Sequence, residues 1–387
     1  MSSRLSRAVR ALGRWHVAAL AMMLLVALVA ACDRADDARS LSLEDAVGQM
    51  LLIGFRGLEL DTETVSLLAE IKPGGVILFD YDGPSGGELP RNVGSPQQLR
   101  ALTSALQQQA QRPYFIAIDA EGGYVNRLKE RYGFRTQLPS HQALGAGSAA
   151  ETEAMAGASA VQLQELGINW NLAPVVDVNI FPDSPAIGHW ERSFSADPEQ
   201  VTAHATAFVR AHRDEGIIST LKHFPGHGSA VGDTHLGVTD VTDSFVHDAE
   251  LAPYRQLIND GYDDAIMTAH IVNRDLDPSA RPASLSYPIV TRLLREELGF
   301  EGVIVSDDMQ MGAIVAEYSL EAAAVEAIKA GVDVILIANQ NAYDLDHIHR
   351  VKAAIIAAVE QGEISRERID QSVERILALK GAYGIVE

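Results

Sequence analysis

ISTLKHFPGHGSAVGDTH, residues 218–235, begins as a buried strand and turns into something else. Ile218 to Phe224 is a short apolar run of strand length that delivers Lys222 and His223 at its end. Pro225 and three glycines (Gly226, Gly228, Gly232) then bend the chain, and His227, Asp233 and His235 ride on the bend. Glycine and proline at this density describe a shaped loop, and imidazoles exchange protons near neutral pH. A strand that hands polar residues to such a loop is the repeating unit of an α/β fold whose site lies at the strand ends.

The same unit recurs in both directions. Apolar runs stand at 50–55 (MLLIGF), 74–79 (GGVILF), 114–120 (YFIAIDA), 168–178 (INWNLAPVVDV), 265–271 (AIMTAHI), 302–308 (GVIVSDD) and 333–338 (DVILIA), which with 218–224 makes eight. Helical spacing fills several gaps, as in Pro96 to Ala110, Glu151 to Leu166, Pro198 to Arg213, Ile289 to Leu298 and Leu320 to Ala330. Apolar strands alternating with helices imply parallel pairing, and eight units predict a single (β/α)8 TIM-type barrel. A doubly wound sheet is the alternative, disfavoured because no glycine-rich phosphate loop follows the first strand.

Residues 1–31 carry Arg4, Arg7, Arg10 and Arg14, no acids, and an apolar run from Val17 to Ala31, the pattern of a secretory signal peptide. Cys32, the only cysteine, follows Val29, Ala30 and Ala31. A lone cysteine is otherwise read as a buried inert thiol. In this setting the segment resembles a bacterial lipoprotein signal, which implies acylation of Cys32 and anchoring to a membrane. Asp33 just behind it resembles the mark of retention at the periplasmic face of the inner membrane, were the source Gram-negative.

The expected organisation is a signal peptide (1–31), a short tether (32–40) and one domain over 41–387. The net charge of −21 would become −25 once the four arginines are removed, so no nucleic acid is expected as partner.

Polar residues close many of the runs: Asp119 and Glu121, Asp177 and Asn179, Lys222 and His223, His270, Asp307 and Asp308, Asn339. One such Asp is commonly a helix cap or turn former. Five or more strands ending this way point to a polar pocket for a hydroxyl-rich ligand. Carboxylates and imidazoles without a redox motif or phosphate loop favour hydrolysis.

His223, His227, Asp233 and His235 could be drawn as zinc ligands, but their spacing matches no common compact zinc pattern, and no metal or other cofactor is expected. Metal-free glycosidic cleavage needs a carboxylate below the anomeric carbon and a proton donor beside the leaving oxygen. Asp307 and Asp308 face opposite ways on a strand, so one of them serves chemistry and the other structure. Asp233 and His235, one residue apart, can pair so that the carboxylate orients the imidazole.

Read in order, GGVILF, IDAEGGYVNRL, NWNLAPVVDVN, ERSFSADP, LKHFPGHG with GDTH, MTAHIVNRDLDP and LLREELGFEGVIVSDDM resemble glycoside hydrolase family 3, specifically its β-N-acetylglucosaminidase branch of NagZ type. The likeness runs from Leu41 to the C-terminus. It implies a retaining exo-acting β-N-acetylglucosaminidase working on peptidoglycan fragments (muropeptides) or related amino-sugar chains. It further implies that Asp307 is the nucleophile, that His235 paired with Asp233 is the acid/base, and that Asp119, Arg127, Arg192, Lys222 and His223 bind the sugar.

Where many relatives carry a basic residue and a serine, this chain has Tyr124 and Thr234, and His189 with Trp190 looks like an insertion ahead of Arg192. Three alternatives stay open. A family 3 β-glucosidase takes its acid/base from a carboxylate in an additional domain, whereas this chain ends soon after the eighth unit. A histidine acid/base leaves room for phosphate to replace water, and a sugar-binding lipoprotein would keep the pocket without turnover.

Overall fold

The structure is a computed structural model, and it describes residues 38–386. The segment read as a signal peptide (1–31), most of the expected tether (32–40) and Cys32 lie outside the described residues. Each of the eight apolar runs contains a parallel strand: β1 (Leu51–Gly54), β2 (Gly75–Leu78), β3 (Phe115–Ile118), β4 (Trp170–Asn171), β5 (Thr220–Phe224), β6 (Ala265–Thr268), β7 (Val303–Ser306) and β8 (Ile335–Ile337). They form two arcs, one ordered β8-β1-β2-β3-β4 and the other β7-β6-β5. Isolated parallel bridges join the arcs, Trp170 to Ile218 and Val175 to Lys222 at one seam and Val305 to Val334 at the other. The fold is α/β, with helices between the strands.

Most of the strands read as apolar because both faces are covered, and β5 is buried as well although it carries Thr220, Lys222 and His223. Helix starts follow local chemistry. Ser95 and Ser148 open helices Pro96–Gln109 and Ala149–Glu165 with full capping boxes, through Gln98 and Glu151. Asp197 caps Pro198–Asp214, where Pro198 sits in the first turn and loses no helical bond.

Two stretches differ from the expected pattern. The run at 168–178 pairs as a regular strand only over Trp170–Asn171, since Pro174 has no amide to give to a ladder. Pro288–Glu297 is wound as a π-helix, and the Leu298 amide reaches the Leu293 carbonyl five residues back.

The strands' two ends are built differently. At their N-terminal ends lies a stabilising knot around buried Asp333. It accepts from Ser372 Oγ at 2.7 Å and the Ile304 amide at 3.0 Å, and it meets Arg295, Arg368 (3.5 Å) and Arg375 (3.2 Å). Ala38 is buried on the same side, where Arg366 donates to the Leu41 carbonyl at 2.7 Å before Leu43–Gln49 leads into β1. At the C-terminal ends the polar residues gather instead.

Candidate functional site

Following β3, Asp119 and Glu121 project into a cavity of about 340 Å³. Lys222, at the end of β5, bridges them: its Nζ lies 2.9 Å from Asp119 Oδ1 and 2.7 Å from Glu121 Oε1. Arg127 donates to Asp119 Oδ2 at 3.0 Å, and Arg192 grips Glu121 with two bonds of 2.8 and 2.7 Å. Charges that would be costly to bury singly are thus interlocked.

Burial alone would raise the Asp119 and Glu121 carboxyls, but Lys222 with Arg127, and Arg192 with Lys222, hold them below the ordinary range. The same lattice outweighs burial at Lys222 and keeps the ammonium charged. A rigid wall of fixed donors and acceptors suits ring hydroxyls and an amide.

His223 stands beside this wall. Its Nδ1 is 2.7 Å from buried Asp177, whose carboxylate also accepts from the His223 and His227 amides at 3.1 and 2.8 Å. Arg192 lies 3.2 Å from His223 Nε2, and a guanidinium can only donate, so the ring proton sits on Nδ1 toward Asp177. The Lys222–His223 and Phe224–Pro225 peptide bonds are cis.

The arm that follows is packed from below. His227 is buried, burial draws its imidazole down to about 4, and its Nε2 meets Thr234 Oγ1 at 3.3 Å. Gly226 has φ +144, and a Cβ there would come within 2.7 Å of the Glu250 carboxyl beneath it, so only glycine fits.

At the arm's tip, Asp233 Oδ1 lies 2.8 Å from His235 Nδ1. A carboxylate accepts, so Nδ1 carries a proton and Nε2 remains available. Burial would raise Asp233, but the His235 amide and ring hold it below the usual carboxylate range. Both residues line the cavity, and the His235 side chain is 57% exposed.

The arm rests on the segment after β7. The Ala313 amide donates to the Thr234 carbonyl at 3.0 Å and the Gly312 amide to the His235 carbonyl at 3.3 Å. A Cβ on Gly312 would lie 2.6 Å from that carbonyl.

Asp307 ends β7 and lines the same cavity. Burial pushes its carboxyl up, but His223, His270, His235 and the Asp308 amide outweigh it and draw it down to about 2. Asp308 turns toward β8, where Oδ1 accepts from the Ala338 and Gln310 amides at 3.0 and 3.2 Å, and burial raises it to about 6. His270 lies beneath, its Nε2 donating to the Asp308 carbonyl at 3.1 Å and its Nδ1 accepting from Ser284 at 2.7 Å.

The structure therefore brings Asp119, Arg127, Arg192, Lys222, His223, Asp233, His235 and Asp307 around one cavity. Sequence reasoning noted Glu121 and Asp177 only as polar strand ends and gave them no part. Glu121 ties Arg192 to Lys222, and Asp177 orients His223. Their positions at strand ends were the available signal.

Comparison with known proteins agrees with this geometry. Residues 42–379 match the glycosyl hydrolase family 3 N terminal domain. Beta-hexosaminidase A of Pseudoalteromonas piscicida is 36% identical over 345 residues, covering 83% of this chain and 55% of that protein. A beta-hexosaminidase of Alkalilimnicola ehrlichii is 37% identical over 298 residues, covering 75% of this chain and 80% of that protein.

Among solved structures, a family 3 beta-N-acetylglucosaminidase from Paenibacillus sp. superposes with a TM-score of 0.82 at 39% identity, covering 89% of this chain and 63% of that one. The beta-N-acetylhexosaminidase of Beutenbergia cavernae gives 0.76 at 31%, with 88% and 99% covered. This chain thus spans little more than half the length of some relatives and nearly all of others. The chain belongs to glycosyl hydrolase family 3.

Proposed function

We propose that this chain is a retaining exo-β-N-acetylglucosaminidase that removes terminal β-linked N-acetylglucosamine from amino-sugar chains, peptidoglycan fragments among them. One observation carries the reading: an ionised carboxylate, Asp307, and an aspartate-oriented imidazole, His235, line one cavity whose inner wall is a fixed polar lattice. The names of the relatives support the sugar.

In the proposed reaction the terminal sugar lies against Asp119, Arg127, Arg192, Lys222 and His223. Asp307 attacks the anomeric carbon as His235 gives its Nε2 proton to the departing oxygen. The Asp233 carboxylate balances the positive charge that the ring carries beforehand. Water then attacks the glycosyl-enzyme, returns a proton to Nε2 and releases Asp307. Two displacements leave the configuration retained.

The proposal includes a closed (β/α)8 barrel over 41–387, supported by the parallel bridges at both seams between the arcs. It also includes export as a lipoprotein held at a membrane through Cys32. No helix of the described residues is long and apolar enough to cross a membrane.

Release of phenol from an aryl β-N-acetylglucosaminide by residues 33–387 tests the chemistry. Wild-type turnover that persists in a chelator and is lost in Asp307→Ala is expected, with water and not phosphate as acceptor. No turnover, or full turnover by Asp307→Ala, would overturn the mechanism. Cys32→Ala should move the protein from the membrane to the soluble fraction, and unchanged fractionation would refute the anchor.

A further inference from the structure

Two large aromatic side chains stand open at the rim of the cavity. Tyr124 is 61% exposed and Trp190 is 44% exposed, and both line it. Their rings meet edge to face with centroids 5.8 Å apart, and His189 packs on Trp190 at 5.1 Å. The other described tryptophan, Trp170, is fully buried. A tryptophan left in water beside a polar cavity has a face to offer.

Trp190 is held in place by its turn. The His189 amide donates to Ser184, that of Glu191 to Gly188 and that of Arg192 to Ile187, all at 2.9–3.0 Å. Glu191 takes the left-handed conformation at φ 53, and its carboxylate accepts from Ser140 Oγ at 2.7 Å. Arg192, two residues on, is locked to Glu121. The indole is therefore displayed at a fixed height above the sugar-binding wall, at little entropic cost to a ligand.

The charge around this platform selects further. The cavity is lined by five carboxylates against Arg127, Arg192, Lys222 and the imidazoles of His223 and His235. Arg127, Arg192 and Lys222 are all turned to Asp119 or Glu121, while Lys129 and Arg131 beyond the rim face Asp80. Each of these cations is already paired within the protein.

We propose that Tyr124 and Trp190 form a binding platform for the ring on the leaving side of the scissile bond, and that the platform favours an uncharged N-acetylhexosamine over one bearing a carboxylate. The inference rests on the function proposed above, because an exo-acting pocket takes the terminal sugar inward and leaves the next unit at the rim, beside His235. Apolar C–H faces of a pyranose pack on aromatic rings. An acidic unit such as a lactyl-ether sugar would meet a lining with more carboxylates than cations, in which the cations are already paired, His235 with Asp233 and the others with Asp119 or Glu121.

The test compares N,N′-diacetylchitobiose with the disaccharide whose reducing unit is N-acetylmuramic acid. Wild-type kcat/KM should favour the neutral disaccharide by about tenfold or more. Trp190→Ala should lose roughly tenfold on chitobiose through KM, with inhibition by free N-acetylglucosamine unchanged. Trp190→Phe should recover part of the loss, and Tyr124→Arg should narrow the preference.

Equal or greater activity on the acidic disaccharide, or unchanged kinetics in Trp190→Ala, overturns the platform while leaving the proposed chemistry intact. If the wild type cleaves no N-acetylglucosaminide at all, the enzymatic reading falls instead. Fluorescence then still decides the platform: chitobiose should shift emission in the wild type and not in Trp190→Phe, and no shift in either refutes it.

Discussion

One oxygen of Asp233 holds His235 at two points: Oδ1 accepts from the His235 backbone amide at 2.9 Å and from its ring Nδ1 at 2.8 Å. The carboxylate fixes where the imidazole stands and which nitrogen is left over. The loop's tip thereby presents one defined ring nitrogen on an exposed arm, as the proposed proton donor requires.

Asp233→Asn keeps an acceptor oxygen but removes the charge. It should lower kcat/KM on chitobiose by roughly 10²-fold, the usual worth of a positioned acid/base. With a dinitrophenyl leaving group, which departs without a proton, the glycosylation step should fall far less. Pre-steady-state bursts on the two substrates would read the difference.

Asp307 stays ionised because three imidazoles and an amide outweigh its burial, holding it at about 2. If Asp307 is the nucleophile, as proposed, its protonation contributes no acid limb near neutral pH. Inactivation by a fluorinated N-acetylglucosaminyl donor with a dinitrophenyl leaving group, which departs without a proton, should keep its rate constant down to about pH 4 with His235 in place.

Gly312→Ala adds a Cβ 2.6 Å from the His235 carbonyl, so the arm or the segment after β7 must move. We expect kcat to fall tenfold or more, since small misplacements of reacting groups cost at least that. Azide should restore deglycosylation, and the inhibition constant for N-acetylglucosamine should hold.

Glu250 is fully buried under the arm, and burial lifts its carboxyl to about 7 from an ordinary 4.5. A raised folded-state value means that its contribution is complete below about pH 4.5 and is lost as pH rises through 7. Glu250→Gln should therefore gain on the wild type at pH 8, by roughly 2–4 kcal/mol, with no gain below pH 4.5. Urea unfolding at the two pH values measures it.

Asp333→Ala removes the shared counter-charge of Arg295, Arg368 and Arg375. A loss of about 3–5 kcal/mol in stability is expected, with kcat of the folded fraction unchanged, because the knot lies at the far ends of the strands.

The eight strands were legible because each is buried on both faces and so reads as a mostly apolar run with a polar end. The two-residue pairings Thr239–Asp240 with Ile271–Val272, and the hairpin of Ala120–Gly122 with Val125–Asn126, left no such trace; segments this short have no period. The same holds at the site. Asp233 and His235 could be paired from sequence since they are neighbours. The partners of Lys222 could not: Asp119 and Glu121 lie a hundred residues away, and only the curl of the sheet decides that both reach one ammonium.

The place where the chain enters the fold has its own consequence. Ala38 and Leu41 are fastened against helix Arg366–Ala382, at the end of the strands away from the cavity. A tether attached ahead of Ala38 would hold the molecule like a cup by its base. Its mouth would then face the surroundings and not the supporting surface, so a substrate would be met from the open space above a membrane and not drawn out of the layer beneath.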